Sequence, residues 1–96
     1  MTLTLVRDGR EQVFAGSPVL SVLVSAQRAA VALRHDCGGK AQCGTCRVRV
    51  LEGRGGPILP REAERLAVVG ADADMRLACQ LRPAGDMRLQ AVLPLV

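Results

Sequence analysis

Apolar and polar residues alternate over TLTLV (2–6) and again around Val13 and Phe14, with RDGR (7–10) between the two runs. A period of two places every other side chain on one face of a strand, and Asp8-Gly9 is the strongest short hairpin-turn signal. Residues 1–16 are therefore predicted to form an antiparallel hairpin. The period then changes. Ser17-Pro18 offers an N-cap and a favoured first helical residue, and Leu20, Leu23, Val24 and Gln27 continue at helical spacing. This predicts an amphipathic helix over 18–29. No glycine marks the exit of that helix, so Ala29 or Ala30 has to serve, at about 1 kcal/mol relative to glycine if the position needs φ > 0.

Farther along, RVRVLEG (47–53) alternates Arg and Val as a half-buried strand should, GRGGP (53–57) is a turn, and REAERLAVV (61–69) is a short helix ending at Gly70. MRLACQL (75–81) and DMRLQAVL (86–93) are predicted strands around the Pro83–Gly85 turn. The order β-β-α-loop-β-α-β-β, with one main helix packed across the strands and a short second helix, defines an α+β domain. The 96 residues have room for a single domain, 1–96, with one modest core. That core is aliphatic, because Phe14 is the only aromatic residue. A bound metal centre would help to staple a core of this size.

The stretch CGGKAQCGTC (37–46) holds Cys37, Cys43 and Cys46, and the fourth cysteine, Cys79, lies far downstream. The N-terminus MTLTLVRDGR has no apolar h-region, and the most apolar interval, 13–33, is broken by Gly16, Pro18, Gln27 and Arg28. Neither a secretory signal nor a membrane span is expected, and the expected compartment is the cytoplasm. Glutathione keeps thiols reduced there, so four cysteines argue for metal or catalysis over disulfides. The net charge of +4 and pI near 9.4 raise the question of nucleic acid. The cations are spread along the whole chain, nearly all as Arg, and no aromatics are available to stack on bases, so a solvated basic surface is the expectation.

Four thiols can hold zinc or an iron–sulfur cluster. Structural Cys₄ zinc sites usually come as two C-x₂-C knuckles, whereas here only Cys43 and Cys46 have that spacing. Gly38, Gly39 and Gly44 favour the cluster, since a loop wrapped around anionic sulfurs must turn backbone N–H groups inward through left-handed dihedrals. Ala41 is small, and the Thr45 hydroxyl is placed to donate to a sulfur. His35 is the chain's single histidine and reads as a loop-flanking residue; Lys40, the only lysine, reads as a solvated loop charge. A Cys37–His35 nucleophile would leave three cysteines unexplained, and no Ser/His/Asp set or phosphate-binding glycine loop is visible.

The pattern C-x₅-C-x₂-C-x₃₂-C, together with CGGKAQCGTCRVRVLEG and RLACQLRPAGD, resembles the [2Fe–2S] ferredoxins of the β-grasp (ubiquitin-like) fold over nearly the whole chain. The extra residue in the first gap departs from plant-type C-x₄-C-x₂-C and is similar to adrenodoxin-like and bacterial ferredoxins, including domains linked to adenylate cyclases. Ala30 replaces a glycine usual in the family, and Arg34 stands where relatives often have Pro. The resemblance implies a mixed sheet and a [2Fe–2S] cluster with Cys37 and Cys43 on one iron and Cys46 and Cys79 on the other. It further implies a monomeric one-electron carrier, not an enzyme, that takes an electron from a flavoprotein ferredoxin reductase and gives it to an oxygenase or other redox enzyme. A redox-sensing module and a structural zinc protein are the other two readings. Two docking handles are expected: a basic rim of Arg34, Lys40 and Arg47 with Asp36 around the loop 38–45, and an acidic interval, 61–74, carrying Glu62, Glu64, Asp72 and Asp74.

Overall fold

The computed structural model describes residues 1–37 and 44–95. Strands β1 (Thr2–Arg7) and β2 (Arg10–Ala15) pair antiparallel from Thr2↔Ala15 to Arg7↔Arg10. The predicted turn closes them, with Asp8 at φ 51° and Gly9 at φ 77°. Alternation has its expected consequence: Leu3, Leu5 and Phe14 are buried, while Thr2 and Val13 face outward.

Helix α1 (Val22–Arg28) starts later than the sequence predicts. Ser17 and Pro18 do not begin it; they form a turn in which the Ser17 carbonyl accepts from Leu20 N–H at 3.2 Å. Pro18 sits at the second position of that turn, where its fixed φ fits as well as it would in a first helical turn. The N-cap is Ser21, whose hydroxyl accepts from Val24 N–H at 3.2 Å. Two of the first free N–H groups find distant carbonyls, Val22 on Leu81 (2.8 Å) and Leu23 on Ala78 (3.0 Å). At the other end Ala30 takes the left-handed conformation at φ 58°. Val31 N–H reaches back to the Ala26 carbonyl and Ala30 N–H to Gln27, which is a Schellman ending built on alanine.

Strand β3 (Arg47–Glu52) leads through the 53–59 segment to helix α2 (Pro60–Val68), which has Pro60 at its first position and ends before Gly70 at φ 64°. Strands β4 (Met75–Leu77) and β5 (Met87–Ala91) complete one mixed sheet in the order β2-β1-β5-β3-β4, with β1 and β5 parallel and the remaining pairs antiparallel. The sequence-based strand over 75–81 stops at Leu77, so Cys79 lies on a turn and not in a strand. The expected ranking of the helices also changes: α1 has seven residues and α2 nine. It is nevertheless α1 that is sunk into the core, through Val22, Leu23 and Ala26 packed with Leu3, Leu5, Phe14, Leu77 and Leu89. Each such fully buried aliphatic side chain is worth about 1.5–3 kcal/mol.

Candidate metal centre

Cys46 is the last residue before β3 and is 2% exposed. Gly44, at φ 74°, makes the bend that leads into it, and a Cβ there would sit 3.1 Å from Val69 Cγ1. Glycine therefore meets both a backbone and a packing requirement. Opposite Cys46, the turn 78–80 is pinned from four sides. Ala78 N–H donates to the Cys46 carbonyl (3.2 Å), and the Ala78 carbonyl accepts from α1. Gln80 and Leu81 N–H fold back on the Leu77 carbonyl, both at 2.9 Å. The Glu62 carboxylate takes Leu77 N–H at 3.0 Å. These four attachments end β4 and set Cys79 beside Cys46.

The two cysteines then meet directly. Cys79 N–H donates to Cys46 Sγ at 3.4 Å, and Gln80 Nε2 donates to Cys79 Sγ at 3.6 Å. The Cys79 sulfur, and then burial, push the Cys46 thiol far above its ordinary pKa; the Cys79 N–H works in the opposite direction, and Cys37 adds a small further rise. No described cysteine is in a disulfide. Among the described residues no three such donors are grouped to hold one metal ion. Cys43, Gly38, Gly39, Lys40 and Ala41 lie outside the described residues.

Cys37 closes the approach from α1. Val31 and Leu33 are buried and anchor that segment. His35 Nδ1 donates to the Leu33 carbonyl at 2.6 Å, in keeping with a loop-flanking role. Asp36 N–H donates to Thr45 Oγ1 at 2.8 Å, which ties the two ends of the cysteine loop together. The Thr45 oxygen thus accepts this bond. The donor set fits a two-iron cluster: a buried sulfur and its neighbour on a pinned turn, both accepting N–H bonds, with a glycine at the bend.

Several charges of the two expected docking handles have partners within the chain, and Lys40 of the basic rim lies outside the described residues. Arg34 is bonded to Asp36 (3.0 Å) and Arg47 donates to the Val69 carbonyl (3.2 Å). In the acidic interval, Asp72 and Asp74 are both taken by Arg49. Glu62 is 1% exposed and bidentate to Arg76 at 2.7 and 2.9 Å. This Glu62–Arg76 clamp, with Arg76 also donating to the Gly56 carbonyl at 2.9 Å, is a site-shaping feature that the sequence pattern alone did not bring out. The signal was present: Glu62 shares a helical face with Leu66, the other buried residue of α2.

The family of 2Fe-2S iron-sulfur cluster binding domains matches residues 5–84. The chain belongs to this family: it is a β-grasp [2Fe–2S] ferredoxin domain, its cofactor is a [2Fe–2S] cluster, and its function is electron transfer. It is 34% identical over 86 residues to one component of the Na(+)-translocating NADH-quinone reductase of Idiomarina loihiensis, covering 90% of this chain and 21% of that protein. The chain spans about a fifth of the length of the curated relatives it matches. A ferredoxin from Rhodopseudomonas palustris HaA2 superposes with a TM-score of 0.78 at 25% identity, covering 98% of this chain and 96% of that one. A reduced cysteine-to-serine variant of putidaredoxin from Pseudomonas putida gives 0.77 at 26%, covering 95% of each. No helix among the described residues is long and apolar enough to cross a membrane.

Proposed function

We propose that residues 1–96 act as one cytoplasmic electron-carrier domain with no turnover of its own, its cluster held by Cys37, Cys43, Cys46 and Cys79. A flavoprotein reductase supplies the electron, and a redox enzyme such as an oxygenase receives it. The observation that carries the reading is the Cys46–Cys79 pair: two sulfurs from positions far apart in sequence, joined by the Cys79 N–H and backed by Gln80. When bound, the cluster supplies a one-electron couple between diferric and mixed-valence states. The chain's own part is to hold those states in nearly the same geometry. The pinned turn at 78–80, the Thr45 tie and the buried Cys46 leave little to rearrange.

The residues also bear on potential. All-thiolate ligation places plant-type clusters near about −400 mV, while N–H bonds to sulfur raise a potential. The positive surroundings are weaker than the bare sequence suggests, because Arg34 and Arg49 are matched by Asp36, Asp72 and Asp74. Potentiometric titration of the loaded protein is expected to follow a one-electron curve with a midpoint well below zero. A midpoint in the positive range reached by clusters with two histidine ligands would contradict ligation by four cysteines.

A further inference from the structure

Beside Cys79 the surface opens into a groove of about 300 Å³ lined by Gly56, Pro57, Leu59, Cys79, Gln80 and Arg82. Leu59 in its wall is 61% accessible, and the adjoining Ile58 46%. Arg82 lines it, Arg54 stands on the backbone paired with 82–84, and Arg61 follows Leu59 by two residues; all three are exposed. Among the described residues none of their guanidinium groups meets a carboxylate. Arg34, Arg49, Arg76 and Arg88 each have a carboxylate partner, whereas Arg7, Arg10, Arg28, Arg47 and Arg65, like the three beside the groove, have none among the described residues. Of the acidic residues close to the groove in sequence, Glu62 is turned inward onto Arg76, while Glu52, Glu64 and Asp86 are exposed.

The face is also stiff. Gly56 N–H donates to the Arg82 carbonyl (2.8 Å), Ala84 N–H donates to the Arg54 carbonyl (2.9 Å), and Gly55 bridges to Pro83. A Cβ on Gly55 would lie 2.1 Å from Leu81 Cδ1, so the two segments can approach this closely only through glycine. Arg76 braces the same segment from behind through the Gly56 carbonyl. Arg54 and Arg82 are therefore presented on paired backbone, and the apolar residues between them and α2 keep their place without a partner.

We propose that this face is where the chain meets its redox partner, and that the partner is a protein with an apolar centre ringed by carboxylates. The proposal rests on the reading of Cys79 as a cluster ligand, which puts the electron's exit in the groove itself. Unpaired cations on a rigid rim steer an acidic surface toward the groove, and the exposed Ile58–Leu59 pair gives the docked complex a centre from which water is excluded. It is distinct from the two handles expected from the sequence, and in the acidic one Asp72, Asp74 and Glu62 are engaged by Arg49 and Arg76.

The test uses the cluster-loaded chain and two haem probes, cytochrome b5 with carboxylates around its haem edge and cytochrome c with lysines around its own. Calorimetry on the oxidised proteins and stopped-flow oxidation of the reduced chain are both read. Cytochrome b5 is expected to bind, with Kd and rate weakening as salt rises. The double variant Arg54→Glu/Arg82→Glu should weaken that Kd and slow that reaction by about tenfold or more, with the visible spectrum unchanged. Arg54→Gln/Arg82→Gln should lie between it and the parent, and Leu59→Ser should weaken binding at high salt as well as low. Unchanged Kd and rate in the double variant, or tighter salt-dependent binding of cytochrome c than of cytochrome b5, would overturn the docking face while leaving the cluster assignment standing. A parent chain without the visible spectrum would overturn the cluster assignment itself, and the docking face with it.

Discussion

Replacing Glu62 with glutamine is expected to lower the stability of the loaded protein by about 3–5 kcal/mol, the usual cost of removing one partner from a buried ion pair. The side chains of Glu62 and Arg76 are 1% and 11% exposed, so solvent screens little of the charge left on Arg76. The same carboxylate also holds Leu77 N–H, two residues before Cys79. A domain of this size has only about 5–15 kcal/mol in total, so the loss is a large share of it. Urea unfolding of Glu62→Gln and of its exposed neighbour Glu64→Gln makes the comparison, with the second expected within about 0.5 kcal/mol of the parent. The Glu62→Gln protein should also release iron to a chelator faster, because the turn carrying Cys79 has lost one of its attachments. Equal midpoints for the two variants would remove the clamp from the account.

Cys79→Ser is expected to cost the protein most of its iron and its visible spectrum. The residue lies on a turn, half-buried and facing a groove, so a serine fits there without strain. Any large effect therefore reports the sulfur's chemistry and not its volume. If Cys79 served only as a small apolar residue, a common role for free cysteine, the serine protein would keep its colour and its iron. Cluster binding is coupled to folding as at other metal sites, so the variant should also unfold at lower urea than the parent.

The hairpin could be read directly from Asp8-Gly9 and the flanking alternation, and the exit of α1 could be narrowed to Ala29 or Ala30, with the left-handed φ of Ala30 only as a condition. These are local demands, met within a few residues. The start of α1 was not legible in the same way. Ser17-Pro18 and Ser21 are both acceptable beginnings, and the choice falls to Ser21 because the carbonyls of Ala78 and Leu81 receive the N–H groups of Leu23 and Val22. Those partners lie more than fifty positions away. The end of β4 has the same cause. MRLACQL has strand-like composition throughout, yet Glu62, Cys46 and Leu77 together take the hydrogen bonds that a longer strand would need.

The candidate site divides along the same line. Cysteine spacing and interleaved glycines made the cluster legible, because ligation constrains residue type at fixed intervals. That Cys79 N–H bonds Cys46 Sγ, that Glu62 turns inward, and that Arg54 and Arg82 share one rim depend on how remote segments pair. A count of charges over 61–74 gave an acidic surface. In the folded chain three of its four carboxylates are engaged by Arg49 and Arg76.

The central claim, a two-iron cluster on this chain's four thiols, is tested most directly by metal and sulfide analysis of anaerobically purified protein, with the spin count after reduction. The expected result is about two irons and two sulfides per chain, a brown-red colour, and about one electron spin per two irons in the low-temperature EPR signal. A colourless protein carrying one zinc per chain, with no sulfide and no signal on reduction, would contradict it.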